Sequence, residues 1–272
     1  MKVLKLCFCV FVSVFWMSCT SKKMLCSTIC METTAGKITI RLYDETPIHK
    51  ANFLKLVRKG FYNGLLFHRV IEDFMIQGGD PLSKNANINT SLGVGGLQYT
   101  LAPEINASQR YHKKGALAAA RKGDDINPNK RSSACQFYIV EGKVFSNKEL
   151  DDIEMQRKRT IESKLIEENF KRDYQRVLKL RNESQLQLSK ELEDSINNKV
   201  HELMLTNNDY KFTPQQRLDY TTNGGTPYLD GMYTVFGEVI EGLDIVEKIS
   251  KVKTGIADRP INDIRINKAS CK

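Results

Sequence analysis

FHRVIEDFMIQGGDP, residues 67–81, gathers a permanent cation (Arg69), an amide (Gln77) and two large apolar side chains (Phe74 and Met75) into one short run closed by Gly78-Gly79. Each residue alone has an ordinary reading, since arginines mostly sit solvated at surfaces while Phe and Met mostly fill cores. The ordered run is what is unusual. If FHRV is a strand, His68 and Arg69 point to opposite faces, which makes His68 structural and leaves Arg69 as the residue with chemistry to offer.

The run resembles the signature of the cyclophilin family of peptidyl-prolyl cis-trans isomerases. That resemblance implies a specific chemistry. Rotation about an X-Pro bond is slow because amide resonance must be broken, at a barrier of about 18–20 kcal/mol. In the twisted state the prolyl nitrogen recovers its lone pair and can accept a hydrogen bond, so a fixed donor aimed at it stabilises the twisted form selectively. Arg69 suits this catalytic role, being always protonated and presenting its donors in a rigid fork. Gln77, implied as its catalytic partner, can hold a substrate peptide group through both a donor and an acceptor. Phe74 and Met75 would wall the proline pocket. Two further stretches extend the likeness: GALAAAR, residues 115–121, implies Ala120 as a substrate-groove residue, and SACQFYIV, residues 133–140, implies Gln136 and Tyr138, the latter replacing a usual Phe. TPYLDGMYTVFGEVIEGLDIVEKI, residues 226–249, supplies Leu229 for the pocket, Tyr228 in place of a frequent tryptophan and Tyr233 where a histidine is common. In that family the tryptophan supports cyclosporin binding, so Tyr228 bears on inhibition rather than on isomerisation. No metal, nucleophile or cofactor is implied, and the implied partners are proline-containing peptides and unfolded or extended protein segments.

Outward from this run, TICMETTAGKITIRLY alternates apolar and polar residues around Ala35-Gly36, as a hairpin of half-buried strands does. Ile38, Ile40 and Leu42 are expected to share its inner face. Thr46-Pro47 opens a helix as N-cap and first helical residue, Ile48, Leu54 and Val57 fall at helical spacing, and Gly60 closes it. The Asn-, Ser- and Gly-rich residues 82–96 read as a loop, followed by strand-like segments at 97–101 and 116–120. Leu243 to Ile249 reads as a second helix, and residues 260–266 as a closing strand only in their second half. The fold implied by the resemblance is mainly β, a closed eight-stranded antiparallel barrel capped by two helices.

From Ser146 to about Tyr210 the composition changes: Gly and Pro disappear, charge dominates, and apolar residues recur at steps of three and four. Ile161, Leu165, Tyr174 and Val177 form one stripe; Leu188, Leu192, Ile196, Val200 and Leu203 form another, with a break at Asn182-Glu183-Ser184. An inserted helical hairpin is expected, its stripes packed on each other or on the barrel. FTPQQRLDYTTNGG, residues 212–225, reads as a short capped helix and a glycine turn leading back to the main fold.

The N-terminus places Lys2 and Lys5 before an apolar run from Leu6 to Met17, too short for a span of about 20 residues but suited to an export signal. Ser18-Cys19 resembles a bacterial lipoprotein site, with Cys19 as the lipidated residue. The chain thus divides into a signal peptide (1–18), a tether (19–27), a first barrel part (28–145), the insertion (146–211) and a second barrel part (212–272), exported to the cell envelope and held at a membrane facing the periplasm. Of seven cysteines, Cys26, Cys30, Cys135 and Cys271 remain outside the signal and lipid site, with no spacing that suggests zinc. A net charge of +9 is spread over both signs without a basic run interleaved with aromatics, which argues against nucleic-acid binding. Hydrolase and nuclease chemistry lack a clustered carboxylate, Ser-His or metal set. A non-catalytic chaperone or binding module for proline-containing segments is the competing class; the complete set Arg69, Phe74, Met75 and Gln77 favours the isomerase, because a pure binder needs no donor for a twisted nitrogen.

Overall fold

A computed structural model describes residues 27–272; the expected export signal, Cys19, Cys26 and nearly all of the tether lie outside them. β1 (Thr28–Thr33) and β2 (Lys37–Leu42) form the expected hairpin, with Ile38, Ile40 and Leu42 no more than 2% exposed. β3 (Phe67–Ile71) and β4 (Met75–Gly78) carry the central motif. β6 (Ala116–Ala119), β8 (Phe137–Val140), β9 (Val235–Glu241) and β10 (Ile266–Cys271) complete an eight-stranded sheet in the order β10-β1-β2-β9-β6-β8-β4-β3. Every neighbouring pair in that order is antiparallel. The strand expected over 97–101 shortens to β5 (Thr100–Leu101), which pairs with β7 (Ser132–Ser133) in a separate small sheet.

The sheet is a curled half-barrel, not the closed barrel expected. Its end strands β10 and β3 meet only through the Leu66–Arg265 bridge and a few backbone hydrogen bonds beside it, such as Phe67 N–H to Ile264 O at 2.9 Å. The chain before β10 does not extend the ladder further, because residues 261–262 bend and Pro260 pairs with Thr254 instead. The strand therefore begins only at Ile266.

Among the described residues, five α-helices accompany the sheet. α1 (Pro47–Arg58) and α5 (Leu243–Ser250) close the core with Phe53, Leu54, Val57, Val246 and Ile249. Thr46 occupies the N-cap of α1, but its hydroxyl does not cap. The Glu104 carboxylate does so instead, accepting from Ile48 N–H and His49 N–H at 2.9 Å each, where the helix has orphan donors and positive dipole. Ile48, expected on the apolar face, is 45% exposed.

α2 (Asn147–Asn182) extends about 54 Å at 1.5 Å per residue and runs against α3 (Leu186–Leu205). The SNKE signal at its start forms a capping box: Ser146 Oγ accepts from Glu149 N–H, and the Glu149 carboxylate accepts from Ser146 N–H. Between the helices Val177, Ile196, Val200 and Met204 are buried, with Ile161, Leu165, Phe170 and Leu192 beside them. Tyr174, Leu188 and Leu203, placed in the stripes by spacing, are exposed. From Val200 a step of three and a step of four both fit a helical face, and packing takes the second, Met204. α4 (Pro214–Thr222) has its own capping box from Thr213 and Gln216.

The insertion leaves and returns where backbone lies on backbone. Lys143 and Gly225 exchange hydrogen bonds of 3.3 and 3.0 Å, and Thr226 N–H donates to His112 O at 2.8 Å. A Cβ on Gly225, whose φ is +155°, would sit 2.3 Å from His112 O, so the close approach requires glycine.

Candidate active site

Strand register builds the site. Arg69 lies opposite Gln77, Gln77 opposite Tyr138, and Tyr138 opposite Ala118, a continuous row across β3, β4, β8 and β6. Directly opposed residues share a sheet face. The neighbouring row Val70, Ile76, Ile139 and Leu117 turns the other way into the core, each no more than 1% exposed. One alternation thus separates the core from the groove. β3 and β4 shift register between Phe67 and Arg69, and His68, at that shift, is 3% exposed.

On the groove face Met75, Tyr138, Val140, Val235, Ala116 and Ala118 pack into one buried cluster, rimmed by half-buried Phe74, Ala120, Leu229 and Tyr233. Residues far apart in sequence are therefore brought to one surface beside Arg69 and Gln77. Tyr228 stands at the outer edge, 46% exposed, its ring 6.1 Å from that of Phe74. Burial raises its phenol pKa, and raises that of Tyr138 well above the usual range. Ala118 and Ala120 are small, which keeps the cluster from filling the groove.

Arg69 donates through Nε to Asp258 Oδ2 at 3.2 Å, leaving both Nη nitrogens for another acceptor. Asp258 and Ala257 both adopt φ of +58°, a left-handed conformation that non-glycine residues seldom take. Gln77 donates Nε2 to Gln136 Oε1 at 3.0 Å and keeps its own carbonyl oxygen uncommitted. Gln136, carried over as a substrate-groove residue, is 7% exposed and stands beside Gln77. Its Nε2 also donates to Gly93 O and Gly95 O at 3.0 and 2.5 Å, so its amide links Gln77 to the 86–96 loop.

Sequence reasoning passed over four carboxylate or imidazole groups that hold this arrangement. Asp80, 0% exposed, ties down the 86–96 loop by accepting from Leu82 N–H, Gly93 N–H and Gly95 N–H. Its signal was present, because Asp before Pro at the start of a turn is an Asx-type motif. Asp258, His112 and Asp230 had no local signal, since their partners stand far along the chain. Asp230 Oδ1 accepts from His112 N–H at 2.8 Å and lies 3.0 Å from its Nδ1, while His112 Nε2 is 2.9 Å from the Tyr138 hydroxyl.

Comparison with known proteins gives a consistent result. The family model for cyclophilin type peptidyl-prolyl cis-trans isomerase/CLD matches residues 28–167 and 166–271. A protein of Staphylococcus saprophyticus named "Putative peptidyl-prolyl cis-trans isomerase" is 30% identical over 241 residues, covering 87% of each chain. One of the same name from Staphylococcus epidermidis is 31% identical over 242 residues, covering 88% of each. Among solved structures, a cyclophilin type peptidyl-prolyl cis-trans isomerase of Cryptosporidium parvum superposes with a TM-score of 0.53 at 20% identity, covering 90% of this chain and 97% of that one. The same protein in the presence of the dipeptide Ala-Pro gives a TM-score of 0.52 at 19% identity, covering 90% and 98%.

Proposed function

The chain belongs to the cyclophilin-type peptidyl-prolyl cis-trans isomerase family, and we propose that it isomerises X-Pro bonds in extended segments of exported proteins with Arg69 as the transition-state donor. The observation that carries this reading is the cross-strand row Arg69, Gln77, Tyr138 and Ala118 beside the apolar cluster. A proline ring rests against Phe74, Met75, Tyr138 and Leu229, near a guanidinium whose Nη groups are uncommitted. The carbonyl of Gln77 accepts from a substrate N–H, and its own orientation is fixed through Gln136. As the bond twists, the prolyl nitrogen becomes an acceptor and meets Arg69. That hydrogen bond exists only in the twisted state and so lowers the barrier. The Ala-Pro dipeptide used with the Cryptosporidium parvum relative fits the same substrate chemistry.

The N-terminal run of lysines, apolar residues and Ser18-Cys19 supports export and attachment to the envelope membrane through lipid on Cys19. In that setting the enzyme would speed folding steps otherwise limited to tens of seconds.

A protease-coupled or exchange NMR assay of residues 27–272 on an Ala-Pro peptide tests the catalytic reading. Accelerated isomerisation is expected. Saturable peptide binding without acceleration would replace the enzyme with a binding module.

A further inference from the structure

We propose that the inserted helices position the pocket, through a relay from Arg157 and Tyr220 by way of the enclosed Asp230 carboxylate and His112 to Tyr138. The proposal rests on the isomerase reading and adds positioning residues to it, two of which, Arg157 and Tyr220, lie outside the sequence motifs that supplied the groove residues.

The relay begins on α2. Arg157 reaches the turn at residues 227–229 that carries Tyr228 and Leu229, donating to Pro227 O, and its Nη2 is 3.4 Å from Asp230 Oδ2. On α4, Tyr220 donates its hydroxyl to the same Oδ2 at 2.7 Å. The carboxylate side chain is 1% exposed and the residues around it are similarly enclosed, His112 and Tyr220 both at 0%. A buried carboxylate requires partners, and two of those Asp230 has come from the insertion and its return helix. On its other oxygen it faces His112 Nδ1. A carboxylate only accepts, which assigns the ring proton to Nδ1 and presents Nε2 to the Tyr138 phenol as acceptor. The His112 and Tyr138 rings are stacked at 6.0 Å with a 12° tilt, and Tyr233 meets both edge-on.

The geometry also explains Tyr138 itself. The family resemblance places phenylalanine at this position, and a tyrosine there brings a hydroxyl into a closed apolar cluster where it must find an acceptor. His112 is that acceptor, and it is held in place by Asp230. Removing the distal anchors should let Asp230 and His112 shift, and the Tyr138 ring with them. The pocket wall then moves while Arg69 stays on β3. The expected signature is weaker peptide binding with little change in turnover once bound.

The test uses the folded chain of residues 27–272, with isomerisation of an Ala-Pro peptide followed by exchange NMR and the ¹⁵N shifts of the His112 ring recorded alongside. The double variant Arg157→Met/Tyr220→Phe is expected to raise KM about three- to tenfold, the equivalent of one lost hydrogen bond, with kcat changed by less than about twofold, and to shift the His112 resonances. In a Tyr138→Phe background the phenol is absent, and the same double substitution should leave KM within about twofold of that background, because coupled sites lose their interaction when one partner is removed. An unchanged KM and unchanged His112 shifts in the folded double variant overturn the relay. A KM effect of equal size in the Tyr138→Phe background overturns its route through the phenol. If the double variant does not fold, Tyr220→Phe alone, a near-isosteric change, must still shift the His112 resonances, and failure to do so rejects the proposal. A wild-type chain without isomerase activity rejects the enzyme reading instead, while the His112 shifts continue to test the relay.

Discussion

The groove and the inserted arm are built on opposite principles. In the groove the central row is set by β-register, so that Arg69, Gln77, Tyr138 and Ala118 meet because four strands pair at fixed residues; a slip of one residue would turn each of them into the core. In α2 and α3 beyond Arg157 the requirement is only an apolar seam, and the choice of Met204 over Leu203 shows that several residues could have served. The groove therefore has low tolerance and the outer arm high tolerance. The first turns of α2 belong to the intolerant part, because Leu150 packs with Phe145, Phe212 and Tyr220, and Arg157 reaches the turn that carries Leu229.

Arg69→Ala should give the largest effect, lowering the isomerisation rate by about 10²–10³-fold, the scale of losing one transition-state donor. Its side chain is half-exposed, so the thermal transition should be little changed. Arg69→Lys should recover only part of the rate, because a point charge lacks the fork. Wild-type turnover by a folded Arg69→Ala protein would remove the distinction between groove and arm.

Gly79→Ala is expected to come next and to act on stability. Gly79 has φ of +91°, and an added Cβ would stand 2.2 Å from Cys135 O, a backbone atom that cannot move aside. A destabilisation of about 3 kcal/mol follows from the combined strain and overlap, measurable by urea unfolding. A comparable Gly introduced on the exposed face of α3, such as Lys199→Gly, should cost about 1 kcal/mol.

Acid should loosen the groove sheet before the arm. Burial depresses the His68 pKa to about 4, against the attraction of Asp80, whereas the unfolded chain has the ordinary value near 6.5. The unfolded state thus binds the proton more readily between these values. The contribution is absent above about pH 6.5, and stability falls as pH drops toward 4, by up to about 3 kcal/mol in total. His68→Leu should flatten this part of the profile, so that its stability relative to wild type rises as pH falls below 6.5. A parallel pair of profiles would show that His68 does not titrate this way.

The smallest effect is expected from trimming the outer arm. Lys158 Nζ lies 5.9 Å from the Tyr210 ring centre, so the two limbs are close there. Replacing residues 159–208 with a short Gly-Ser linker should leave peptide kcat/KM within about twofold, as for distant, independent sites. A larger loss, with the β spectrum intact, would show that the outer arm also shapes the groove. Action on an unfolded protein client is the assay in which its contact surface would register.

Much of the molecule was legible because its signals are local. The hairpin around Ala35-Gly36, the helices beginning at Pro47 and Asn147, the break before Ser184 and the short helix at Pro214 each follow from periodicity or capping chemistry within a few residues. The candidate site was legible through resemblance to a family motif, and the structure brings all its apolar members together. The identity of the α1 cap and the hydrogen-bond partners of Gln136 were not, because Glu104 and the carbonyls of Gly93 and Gly95 arrive from elsewhere in the chain.

The sequence by itself determined which residues could make a donor, an apolar wall and two helical limbs, since these depend on residue type and short-range spacing. The tertiary structure alone decided that the sheet stops at a curled half-barrel, because the bends before Ile266 deny β10 a longer ladder with β3. It alone decided that Asp230 joins Arg157, Tyr220 and His112, because a buried carboxylate takes whichever donors folding brings within reach, and those lie 73, 10 and 118 residues away along the chain.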